Sequence, residues 1–242
     1  MAKIPVLVSW SGGKDGAWTL HVLGQGSGYQ PLGLLTTVTE GHERIAMHGI
    51  RREVLGAQVA AVGLPLIEAR QPERPDNAAY EAAFAAALAA ARGRWPGLAH
   101  IAFGDLFLAD IRAYRDTLCA RLGWTPVYPL FGRDTAALAR AMLAAGLQAR
   151  LCCVDTGQLD AEFAGRAFDA ALLAALPAGV DPCGENGEFH TCVHAGPMFA
   201  APLRLVAGKT VLRDDRFAFT DLRLVSPAAV GSTRRERSER GG

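Results

Sequence analysis

Short apolar runs along the chain alternate with longer stretches in which apolar residues recur at helical spacing. Ile4–Val8, Leu32–Val38, Leu64–Glu68, His100–Phe103 and a stretch near Val127 predict strands. Ala17–Leu23, Arg51–Val62, Asn77 to about Arg92, Ile111–Leu122 and Thr135–Ala145 predict the helices between and after them. Strands that are apolar throughout and separated by helices imply a parallel sheet covered on both faces. The fold class expected is therefore α/β: a Rossmann-like, five-stranded parallel sheet with helices on both sides.

The texture changes after about Phe131. Leu147–Val154 reads as one more buried strand, and Phe199–Val225 alternates apolar and polar residues as paired antiparallel strands do. Between them lies DPCGENGEFHTCVHAGP, Asp181 to Pro197, which reads as turns. The division expected is a nucleotide-fold half over 1–131 and a smaller mixed α+β half over 132–225, the substrate domain. The stretch 226–242, SPAAVGSTRRERSERGG, has no core-forming residues and is expected to be a disordered tail.

Charge narrows the partners. Twenty-five basic and 24 acidic side chains leave a net charge of +1, so no global basic field exists to hold a nucleic acid. Five cysteines, two of them adjacent and none in a CxxC pair, do not form a disulfide framework, and reduced thiols fit better. Without a signal-peptide pattern at the N-terminus or an apolar run of membrane-spanning length, a cytoplasmic protein is expected. A homodimer remains open.

The stretch SWSGGKDGAW, Ser9 to Trp18, joins the first strand to the first helix, where open α/β sheets bind ligands. Glycines let backbone N–H groups approach an anion, a helix start adds donors and dipole, Lys14 adds charge, and Asp15 can hold a magnesium ion. Ser11, Gly12, Gly13, Lys14 and Asp15 thus suit a phosphate. The Walker pattern is absent, since Val8 and Asp15 stand where it needs Gly and Ser or Thr, and no G-x-G-x-x-G occurs. A glycine turn with a surface lysine and aspartate is the plainer alternative. The second cluster, CGENGEFHT, gathers Glu185, Asn186, Glu188 and His190 in a segment bent by Gly184 and Gly187. It suits positioning or deprotonating an amine, or a solvated hairpin loop. Cys183, His190, Cys192 and His194 match no standard zinc spacing, although on an extended strand the last three would share a face.

SGGKD after a first strand resembles the pyrophosphate loop of the adenine nucleotide alpha-hydrolase-like family, with Gly16 where that family usually has serine. CGENGE, together with AMHGIR (Ala46 to Arg51) and FGDLFLADIRAYRD (Phe103 to Asp116), resembles the bacterial-type branch of the diphthine–ammonia ligase family. The resemblance implies a HUP-type sheet and an ATP-dependent, AMP-forming amide ligase. In such a ligase a small-molecule or protein carboxylate is adenylated, pyrophosphate leaves, and ammonia or an amine attacks. It implies ATP and Mg2+, with ATP on Ser9, Ser11, Gly12, Gly13, Lys14, Asp15, Gly16, Thr37 and Gly104, and the metal on Asp15. Lys14, Asp15, Glu185, Glu188 and His190 would be catalytic. His48, Arg51, Asp105, Asn186, Gly187 and Thr191 would face the substrate. Two departures concern the substrate: GDLFLADIRAY at the fourth strand's exit, and a histidine in GEFHT. High Ala, Arg and Gly content fits a bacterial source, and bacteria do not make diphthamide. The alternatives are a cobalamin-salvage enzyme with related chemistry, an enzyme acting on transfer RNA, which the neutral charge disfavours, and a non-catalytic ATP-binding regulator.

Overall fold

A computed structural model describes residues 2–39, 41 and 49–225. His48 and the expected tail lie outside the described residues. The first sheet has five parallel strands in the order β3-β2-β1-β4-β5. These are β1 (Ile4–Ser9), β2 (Tyr29–Thr39), β3 (Leu66–Gln71), β4 (His100–Ala102) and β5 (Thr125–Val127). Helices α1 (Lys14–Gly24), α2 (Arg52–Val62), α3 (Asn77–Arg94) and α4 (Ala109–Arg121) connect them. The prolines obey the ladder: Pro5 and Pro31 lie where their strands pair on one side only, and Pro126 is on an edge strand.

Helix α5 (Thr135–Ala144) leads into an antiparallel sheet of β6 (Gln148–Asp155), β7 (Phe189–Ala195), β8 (Leu205–Arg213) and β9 (Phe217–Leu224), ordered β7-β6-β9-β8. A single-turn 3-10 helix at Ala161–Phe163 and a short helix α6 (Ala170–Ala175) fill the long β6–β7 connection. Neither α6 nor β7 is among the expected elements. Along β7, Phe189, Thr191, Val193 and Ala195 are buried on one face, while on the other His190 and His194 are half-buried on either side of a buried Cys192.

One hydrophobic core joins the two sheets. Val6, Val8, Trp10 and Leu34 from the first pack in the same cluster as Leu151, Val154, Phe189 and Cys192 from the second. Burial of that continuous surface, not a linker, fixes how the sheets face each other. A separate cluster, built on Leu7, Phe84, Leu88, Ile101 and Phe103, fills the other face of the parallel sheet. All five cysteines are buried thiols, and no helix among the described residues is long and apolar enough to cross a membrane.

Candidate functional site

The chain leaves β1 toward β2 on one side and later returns as β4 on the other, so β1 and β4 bound the crevice where strand order reverses. The glycine loop follows β1, and Gly104 and Asp105 follow β4. Their backbones nearly touch. A Cβ on Gly104 would stand 2.9 Å from the Asp15 carbonyl carbon and 3.0 Å from the Gly16 nitrogen, so only glycine fits without displacing one chain. Gly16 is packed less tightly, a Cβ there meeting Ser9 O at 3.2 Å.

Residues far along the chain complete the loop. Helix α1 starts at Lys14, three residues earlier than the apolar pattern predicts, because Thr191 Oγ1 on β7 accepts the Lys14 N–H at 3.0 Å. That bond satisfies one of the donors a helix start leaves open. Gly13 N donates to Ser11 Oγ at 3.3 Å, and Val193 N donates to Gly12 O at 2.9 Å. Gly12 lies at φ +79°, and a Cβ on it would stand 2.8 Å from Gln58 Oε1 and 2.9 Å from Ile50 Cδ1. Both the backbone and the neighbours therefore require glycine there.

Lys14 does not reach into solvent. Its side chain is only 2% exposed, and Nζ donates to Asp15 Oδ2 at 2.8 Å and to the carbonyl of Cys183. The ammonium also lies 5.5 Å and 5.6 Å from the ring centres of Phe189 and Phe168. Burial pulls its pKa down, but the Asp15 charge, backed by Cys183 and Asp181, outweighs this and holds the ammonium above its ordinary value. Burial likewise raises the Asp15 carboxyl, against the pull of Lys14. Asp15 Oδ1 is buried and has no hydrogen-bond partner among the described residues.

The acidic segment folds onto this loop. Asp181 Oδ2 accepts from the N–H groups of Cys183 and Glu185, both at 3.0 Å, and Thr135 Oγ1 at the start of α5 donates to Oδ1 at 2.5 Å. Gly184 turns the chain at φ +70°, where a Cβ would strike Phe189 O at 2.7 Å; Gly187 bends it again at φ +85°. Glu185 Oε1 then accepts Leu106 N at 2.7 Å and Phe107 N at 3.4 Å, strapping the segment to the β4 exit. Burial pushes the Glu185 carboxyl up, partly offset by those donors. Glu188 is buried and turned into its own loop: Oε1 accepts Asp181 N at 2.9 Å and Asn186 Nδ2 at 3.0 Å, while Oε2 has no hydrogen-bond partner among the described residues. The His190 imidazole is pushed down to about 4, first by burial and then by Lys14, so it is neutral at pH 7. Cys183, raised to about 12 chiefly by burial, is an inert thiol.

Two expected site residues are engaged by ion pairs, and a third lies at the carboxyl end of its strand. Arg51 makes a two-pronged ion pair with Asp221 on β9, at 2.7 and 2.8 Å, which ties α2 to the second sheet. Asp105 is held by Arg115 on α4, whose Nη2 donates to Oδ1 at 3.2 Å. Thr37 is half-buried near the carboxyl end of β2, two residues past Leu35, which pairs with Ser9, and it pairs with Ala69 on β3. No three His, Cys, Asp or Glu side chains among the described residues are grouped to hold a metal. The residues that the motifs do not reveal are Gln58 and Asp181. Gln58 is fully buried, and its one sequence signal is a polar residue on the face of α2 that carries Val54 and Leu55.

The model of the diphthamide synthase N-terminal domain matches residues 4–126, and that of the diphthamide synthase C-terminal domain matches residues 134–221. A diphthine–ammonia ligase of Danio rerio is 34% identical over 118 residues, 46% of this chain and 46% of that protein. The match thus spans about half the length of that relative. With one family model covering the loop-bearing sheet and the other covering the sheet folded against it, the chain belongs to the diphthamide synthase family.

Proposed function

We propose that this chain is an ATP-dependent, AMP-forming amide ligase in which an acceptor carboxylate is adenylated and then attacked by ammonia or an amine. The observation that carries this reading is the docking of CGENGE on SGGKD. Lys14 reaches Cys183, Thr191 caps the loop helix and Glu185 straps the β4 exit, so a phosphate-type loop and an acid and imidazole cluster form one site. Ser11, Gly12 and Gly13 would cradle the triphosphate. The unpartnered, buried Asp15 Oδ1 is an acceptor that fits Mg2+, which would screen phosphate charge when bound.

In this reading an acceptor carboxylate oxygen bonds to the α-phosphorus, the bond to the β-phosphate oxygen breaks, and pyrophosphate leaves. The nitrogen donor then bonds to the acyl carbon, gives up a proton, and AMP leaves. His190 lies beside Lys14 with a neutral imidazole at pH 7, which suits it to the proton step. The acceptor is a small-molecule or protein carboxylate. Incubation with ATP, Mg2+, ammonium and a panel of carboxylates tests the reading: AMP and pyrophosphate should form in equal amounts, only with an acceptor present. ATP that is bound but stays intact throughout would instead mark a regulator.

The imidazole also predicts a pH dependence. Unfolded, His190 takes up a proton below about 6.5; folded, it does so only near 4. Stability that is complete above pH 6.5 is therefore lost as pH falls toward 4, by roughly 3 kcal/mol for the full span. His194, whose pKa burial also lowers, adds loss at acid pH. Urea melts from pH 7.5 to 4 should show a shallower acid slope in His190→Gln than in wild type. An unchanged slope would mean that His190 protonates in the folded chain as readily as in the unfolded one.

A further inference from the structure

Both the amide and the carbonyl of Gln58 are engaged, and in one place. Nε2 donates to Gly12 O at 3.0 Å and to Val193 O at 2.7 Å, lies 3.8 Å from Cys192 Sγ, and Oε1 accepts Trp10 Nε1 at 3.3 Å. Gly12 O also accepts Val193 N at 2.9 Å, so both lone pairs of this one carbonyl are engaged. Strand β7 is the edge of its sheet, and an edge presents a row of unpaired N–H and C=O groups. At Val193 that row is closed by Gly12 O on the N–H and by Gln58 on the carbonyl. The side chain does here what a neighbouring peptide group would do.

A satisfied buried amide is ordinary; its location is not. The Gly12–Gly13 peptide is planar, so fixing the Gly12 carbonyl toward Gln58 and β7 sends the Gly13 N–H the opposite way. That N–H faces Ser11 Oγ, on the side of the loop that would cradle phosphate. The fit is reciprocal, since a Cβ on Gly12 would collide with Gln58 Oε1. We infer that Gln58 is a positioning residue for the phosphate loop: by gripping the Gly12 carbonyl from α2 it sets the Gly13 N–H on Ser11 Oγ, which leaves the Ser11 hydroxyl to donate to the ligand, and it makes that arrangement depend on β7. This rests on the adenylating reading of the site, because the ligand positioned is the phosphate chain.

Gln58→Met conserves volume and removes every polar atom. In the full chain it should weaken MgATP binding about tenfold while leaving adenosine binding within about twofold, the loss expected for a few misdirected donors. A role confined to packing would shift both ligands together or neither. Gln58→Glu has the same size but sets a carboxylate against the Gly12 and Val193 carbonyls, so it should bind MgATP more weakly still at pH 8. Two measurements stand apart from the nucleotide. Hydrogen exchange at Val193 N should accelerate in Gln58→Met, and the Gln58 side-chain amide resonances of wild-type protein should move with pyrophosphate and not with adenosine. The second serves even if Gln58→Met does not fold. Folded Gln58→Met with wild-type MgATP affinity, or wild-type amide resonances indifferent to pyrophosphate, overturns the inference. A wild-type chain that binds neither ATP nor pyrophosphate overturns the adenylating reading instead, and the Val193 exchange rate then decides by itself whether Gln58 orients the loop.

Discussion

Lys14→Ala should abolish AMP and pyrophosphate formation and also lower the melting temperature, on the order of 10 °C for a chain of this length. A loop lysine that met phosphate from solvent would cost activity alone. This one is almost fully buried, with Asp15 Oδ2 at 2.8 Å, the Cys183 carbonyl and two aromatic faces around it. Its removal leaves a partly buried carboxylate and a buried carbonyl unpaired and empties the space under Phe189. Breaking a buried pair from one side costs about 3–5 kcal/mol, more than the pair's net worth, because the orphaned charge stays behind. Asp15→Asn strands the almost fully buried ammonium instead, although the amide oxygen can still accept from Nζ, so its cost should be of similar size. Lys14→Met separates the two effects. It keeps the stem against the rings, so it should recover part of the lost melting temperature and none of the activity. A Lys14→Ala protein that melts within about 1 °C of wild type would show that the ammonium does not hold the acidic segment on the loop.

The parallel sheet was legible because its signals are local. Most strands carry a short apolar run and the helices keep their period, so even the three-residue β4 and β5 lie where the pattern puts them, while β3 runs on past the expected Glu68 to Gln71. The start of α1 was not legible, since Lys14 is capped by Thr191, which is 177 positions away. Strand β7 escaped for the opposite reason. The glycines and acids of CGENGE suit the turn they form, and the strand that begins at Phe189 is nearly all buried, with its two histidines breaking the apolar run. In the site, both motifs announce themselves by composition, but composition does not reveal direction. Lys14 turns inward to Cys183, Arg51 is engaged by Asp221 and Asp105 by Arg115, partners that one-dimensional spacing does not pick out. Gln58 was hidden because a single glutamine on an apolar helix face becomes informative only when the carbonyls it meets are known.

Gly104→Ala should lower activity by at least about a hundredfold, with a stability cost of about 1–3 kcal/mol. Gly104 has no need of glycine's conformational range; space is the issue. The added methyl would meet the Asp15 carbonyl carbon, the Asp15 oxygen and the Gly16 nitrogen at 2.9–3.0 Å, all of them backbone atoms at the start of α1. A flexible side chain could swing aside, but here the obstacle is a helix anchored by the Thr191 cap and by Ala17 N bonded to Gly13 O. Either the β4 exit or the loop must move, and each carries a share of the site: the exit holds Glu185 through Leu106 N, and the loop holds Lys14. Displacements of the order of 1 Å between reacting groups cost about a hundredfold in rate, which is why the activity loss should exceed what the stability cost alone would give. Gly97→Ala supplies the contrast, because a Cβ there meets nothing within 4 Å and any cost comes from its φ of +86°. It should lower the melting temperature without changing the turnover of folded protein. Should Gly104→Ala turn over like wild type, the β4 exit and the glycine loop do not form one site.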